Sequence, residues 1–111
     1  MEELERGRGA YAEHAWLNAF NSLAGADGKA ALDVEDLERL GRSAYMLGRD
    51  HEYVAALERA HRLCLERNDI PRAVGCGFWI GHSFLFRGER ARAVGWFARS
   101  GRQAAPGRSA V

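Results

Sequence analysis

The chain has 111 residues, enough for a domain with its own apolar core and too few for several large ones. With 47% apolar and 28% charged residues it has the composition of a folded globular protein and not of a disordered tail. The formal net charge of +1 excludes a polybasic or polyacidic protein, and two cysteines are too few for a disulfide framework.

The first hairpin is expected from Leu4, Gly7 and Tyr11 on one helix and Trp16, Ala19, Phe20 and Leu23 on the next, with Gly25-Ala26-Asp27-Gly28 as a loop. Asp33 then stands as an N-cap, with Asp36 favourable in the first turn. The run Leu37, Leu40, Gly41, Ala44, Leu47 makes one apolar helical face, ended by Gly48 as a left-handed cap. Asp50 is placed at the cap of a fourth helix carrying Tyr53, Ala56, Leu57, Ala60, Leu63 and Cys64 inward, closed by Asn68-Asp69. Pro71 suits the first turn of a fifth helix, where its missing N–H costs nothing. That helix is expected to bury Ala73, Cys76, Gly77, Ile80, Gly81 and Phe84 and to break at Gly88. Ala93, Val94, Phe97 and Ser100 should line a sixth. A folded region over residues 2–103 and a flexible tail over 104–111, with Pro106-Gly107, complete the reading.

Self-similarity organises these elements. Gly7-Arg8-Gly9-Ala10-Tyr11 recurs 34 residues later as Gly41-Arg42-Ser43-Ala44-Tyr45, and again as Gly81-His82-Ser83-Phe84-Leu85. Gly7, Gly41 and Gly81 each fall mid-helix, where glycine costs up to about 1 kcal/mol against alanine. A cost repeated in phase implies a repeated benefit, namely close approach of the partner helix. The fold class that follows is all-α, built of three antiparallel helix hairpins.

Gly41, Tyr45, Gly48, Leu57 and Ala60, with Gly81, Phe84, Gly88, Ala93 and Phe97, resemble the small-residue and aromatic signature of tetratricopeptide repeats. Tyr53, where that family has a small residue, and a second spacing of 40 depart from it. Residues 36–100, through GRSAY, LGRD, ALERAH, FWIG and RGERARA, are similar to the helical repeat region of LuxR-type transcriptional regulators of actinobacteria. Those regulators carry a helix-turn-helix after the repeats. No recognition-helix pattern stands in GRQAAPGRSAV, so DNA binding is not carried over.

What the resemblance implies is that the three hairpins stack as a short tetratricopeptide-like right-handed superhelix, with a concave groove for a protein or peptide, here Leu4, Arg8, Tyr11, Glu38, Arg42, Tyr45, Met46, Phe78, His82, Leu85 and Phe86. The third repeat is the most apolar. Trp79, Leu85, Phe86 and Trp96 are expected to bury themselves against a second copy, making a homodimer, or else to receive a ligand. The function expected is a non-enzymatic interaction or regulatory module; the alternative is a sensor binding a peptide or small molecule in the groove.

His61, Cys64 and Cys76, with His82 a turn away, are the candidate metal ligands, but the paired spacing of a strong zinc site is missing and no metal or other cofactor is expected. Nucleophile elbow, zinc-protease and phosphate-loop motifs are absent, so an enzyme is not expected. Arg92, Arg99 and Arg102 share a helical face, yet a nearly neutral chain without a reading motif is not expected to bind nucleic acid directly. The charged MEELERGRG start and the lack of a long apolar run point to a cytoplasmic location and no membrane partner.

Overall fold

The computed structural model describes residues 2–104, and these are 83% helical with no strand among them. Six helices run α1 (Glu3–Ala12), α2 (Trp16–Lys29), α3 (Val34–Met46), α4 (Asp50–Glu66), α5 (Ile70–Phe86) and α6 (Arg90–Ala104). Among the described residues no helix is long and apolar enough to cross a membrane. The tail expected to be flexible lies, from residue 105 on, outside the described residues. The helices group into two compact units that divide inside α4, between Ala56 and Leu57.

One turn recurs four times. His14, Gly48, Asn68 and Gly88 all take left-handed backbone, with φ of 60°, 74°, 59° and 78°. In each case the next N–H reaches back to a carbonyl five residues earlier: Ala15 to Ala10, Arg49 to Ala44, Asp69 to Cys64 and Glu89 to Phe84, all at 2.8–2.9 Å. This is the Schellman closure, which satisfies carbonyls the helix end leaves orphaned. Gly48 and Gly88 thus do what their spacing predicts, and Ala10, Ala44 and Phe84 of the three repeat copies are the acceptors that define it.

In the first unit α1 and α2 form an antiparallel pair. Tyr11 meets Trp16 near the turn, Gly7 faces Leu23, and Glu3 reaches Lys29 at the open end. A Cβ at position 7 would stand 2.8 Å from Leu23 Cγ, so only glycine lets α2 come so close. The first half of α4 packs on α3 in the same antiparallel sense: Gly41 faces Ala56, and Tyr45 lies on Tyr53. Leu23, Leu37 and Ala44 are fully buried.

The residues 25–28, expected to be a loop, are helical instead. Ala26 is buried, Gly25 sits against the Glu3 carboxylate, and Lys29 Nζ closes on Glu3 Oε1 at 3.1 Å. The real connection is 30–33, pinned where Asp27 Oδ1 accepts from the Leu32 N–H at 3.1 Å and Asp33 Oδ1 from the Val34 N–H at 2.8 Å. Asp50 is the first residue of α4 and not its cap, because the Arg49 carbonyl already accepts from the Tyr53 N–H.

In the second unit α5 and α6 are antiparallel, and the second half of α4 lies against α6 through His61. The buried residues of α5 are Ala73, Cys76, Gly77, Ile80, Gly81 and Phe84, the six the helical period selects. A Cβ at 81 would lie 2.9 Å from Phe97 Cε1, and one at 77 would strike Ser100 Oγ. On α6 Ala93 and Ser100 are buried, but Val94, expected inside, is exposed. Gln103, on the stripe that also carries Trp96 and Ser100, is buried and reaches His61.

Candidate functional site

On α5 the stripe opposite the buried one carries the molecule's main exposed aromatic surface. Phe78, Trp79, Leu85 and Phe86 are all at least 46% exposed, and Phe86 is 80% exposed. His82 sits among the rings. Its imidazole stacks on Phe78 at 6.0 Å, meets Trp79 edge-on at 5.4 Å and Phe86 edge-on at 4.6 Å. Phe78 and Trp79 are themselves edge-to-face at 5.4 Å, and Phe78 leans on Phe97 of α6 at 5.7 Å. Edge-on and stacked ring contacts of this kind add favourable packing along the stripe.

This cluster brings together Phe78, His82 and Phe86 of the expected groove with Trp79 and Leu85 of the expected self-association face. Trp96, assigned to the same face, lies elsewhere. Its ring meets His61 edge-on at 5.2 Å, Arg99 stacks over it at 4.4 Å, and its Cβ fills the space that Gly81 leaves. The glycines of α5 draw this indole inward, and it is half-buried inside the unit.

No protein-family model matches the chain, and no curated protein matches its sequence. The site must therefore be read from its own chemistry.

The groove residues of the first unit divide into two kinds. Arg42, Tyr45 and Met46 are exposed on α3, and Glu38 and Tyr11 are half-buried. Tyr11 and Tyr45 stand in matching places, each resting on an aromatic ring near the start of the following helix. Arg8 is committed within the chain. Its Nε and Nη2 donate to the two carboxylate oxygens of Asp36 at 3.0 and 2.7 Å, and Arg39 Nη1 adds a third bond at 2.9 Å. The Asp36 side chain is only 4% exposed. The hydrogen bonds from Arg8, aided by Arg39, hold its carboxyl below the usual range against the burial that pushes it up. The same contact raises the Arg8 guanidinium.

His61, a candidate metal ligand by sequence, is instead a second buried polar group of the interior. It is 5% exposed, with Nε2 3.3 Å from Gln103 Oε1. Burial lowers its proton affinity; the hydrogen bond with Gln103 opposes this, Arg99 and Arg62 add to it, and Glu58 opposes it. A sequence signal for this exists: His61 follows Ala60 and lies four residues after Leu57, on the inward stripe of α4.

Cys64 and Cys76 are buried and in no disulfide. Among the described residues no three of His, Cys, Asp and Glu gather as a metal-binding group. Three of the arginines that give the last hairpin its basic character lie over rings of their own unit: Arg87 and Arg92 over Phe84, and Arg99 over Trp96.

Proposed function

We propose that the chain is a non-enzymatic protein–protein interaction module, a tetratricopeptide-like repeat protein that self-associates through the outer face of α5. The observation that carries this reading is the cluster of Phe78, Trp79, Leu85 and Phe86, all near or above half exposure. Their exposed fractions leave on the order of 400 Å² of apolar surface, within the range of the largest patch on a soluble monomer, and such patches are often functional. A second copy is the occupant that fits best. Arg72 is the only charged residue among the seventeen of α5, so the helix presents no field for a charged ligand. Two such patches together give a small interface, which sets the association in the weak, concentration-dependent class. The similarity to the repeat region of transcriptional regulators supports a regulatory setting for the module.

Sedimentation equilibrium over a dilution series tests this directly. The wild-type chain should pass from dimer to monomer on dilution, and Phe86→Asp should be monomeric at every concentration with unchanged helicity, since that ring packs so little on its own fold. A wild-type chain that stays monomeric at the highest concentration overturns the reading.

A further inference from the structure

Along the outer face of α5, Arg72, Gly75, Trp79, His82 and Phe86 succeed one another at intervals of three, four, three and four residues. That is the spacing of a coiled-coil seam, and none of the five is buried. From Gly75 to Phe86 the series is also a palindrome, with its centre between Trp79 and His82. We infer that the surface of the second copy that covers α5 is α5 itself, running antiparallel about a two-fold axis at that centre. This rests on the self-association proposed above and adds the partner element, its direction and its register.

The physical case compares the two directions. In the antiparallel pair Phe86, the most exposed large side chain, falls opposite Gly75 of the other copy, where a Cβ would meet nothing within 4 Å. The bulkiest projection thus faces the barest stretch of backbone, twice per dimer. Trp79 falls opposite His82, repeating between chains the edge-on contact they make within one. In a parallel pair Phe86 would meet Phe86, Gly75 would face Gly75 across a gap, and Arg72 would meet Arg72. Size and the avoidance of like charge both select the antiparallel arrangement. A two-fold pair also closes on itself, which makes a dimer the end point of assembly and not an open chain.

Disulfide trapping reads the register. Gly75→Cys and Phe86→Cys are each prepared alone and then mixed, with wild-type protein as the control for Cys64 and Cys76. Mild oxidation should link the mixed pair and leave each single variant largely unlinked. Linkage within either single variant, from the introduced thiol of one copy to the same position of the other, would show parallel helices and overturn the inference. Unlinked variants that still sediment as dimers would also overturn it, placing the contact on another face. Monomers by sedimentation of the wild type would instead remove the self-association itself, so the two failures are told apart.

Discussion

Asp36 and His61 are each nearly sealed from solvent, yet they face opposite electrostatic problems. Asp36 keeps its charge because Arg8 and Arg39 supply three donors, so its carboxyl is held low. His61 has a neutral amide as partner and arginines nearby, so burial keeps the imidazole neutral. Both shifts make acid destabilising, in different windows. The unfolded chain protonates His61 near pH 6.5, while the folded chain resists until lower pH; between the two the unfolded state holds more protons, and stability falls as pH drops. The contribution of His61 is complete above that window. For Asp36 the same logic begins near the ordinary carboxylate value of about 3.9 and runs down through the depressed folded one. Thermal unfolding followed across the acid range should show both declines. His61→Gln should flatten the upper one and leave the lower. Asp36→Asn should flatten the lower one, and at neutral pH it should cost about 1–3 kcal/mol in urea unfolding, because Arg8 and Arg39 lose a charged acceptor.

Within a hairpin the glycines decide how close two helices come. Gly81 has Phe97 Cε1 and Trp96 Cβ at 2.9 and 3.2 Å from where a Cβ would stand, while Gly95, on the exposed side of α6, has nothing within 4 Å. Alanine improves helix propensity at both places, so any difference between them isolates packing. Gly95→Ala should stabilise by about 0.4–1 kcal/mol, and Gly81→Ala should destabilise by about 1–3 kcal/mol despite the same propensity gain. Chemical denaturation of the two variants checks the opposite signs.

This is also the level at which the sequence is most legible. A 3.6-residue period and a phased glycine are local facts, and they locate all six buried positions of α5 and the caps at Gly48 and Gly88. Gly25 and Gly28 mislead because glycine permits a turn without requiring one; a buried Ala26 and the Glu3–Lys29 pair keep α2 helical. The Arg8–Asp36 pair spans 28 positions, and no local spacing announces it, although an acid beside Leu37 and four residues before Leu40 is a sign that a partner exists. Trp96 is misplaced by its own helix for a related reason. Its inward orientation depends on the room left by Gly77 and Gly81 on another helix, which the pattern of α6 alone does not contain.

Over the whole molecule charge is unevenly divided: residues 1–70 carry 9 basic and 14 acidic groups, and residues 71–111 carry 7 basic and 1 acidic. An imbalance of −5 against +6 gives self-association a second route, in which the acidic part of one copy meets the basic part of the next. The two routes respond oppositely to salt. Contact between exposed charges is screened once the Debye length falls to a few ångströms, whereas burial of Trp79 and Phe86 against a second α5 is indifferent to screening. They differ in outcome too, since head-to-tail contact repeats from copy to copy and two-fold contact stops at two. Ion pairs within the chain, Arg87 and Arg92 with Glu89 and Arg8 and Arg39 with Asp36, fix where some of these charges sit but leave the net imbalance as it is. What favours α5 is its large exposed apolar side chains, which only a contact that excludes water would cover. Sedimentation at low and at high salt should then give the same dimer, with a dissociation constant unchanged or lower at high salt and a mass that levels off at two chains. An association that vanishes as salt rises, or a mass that keeps growing with concentration, would assign the contact to charge and take it away from α5.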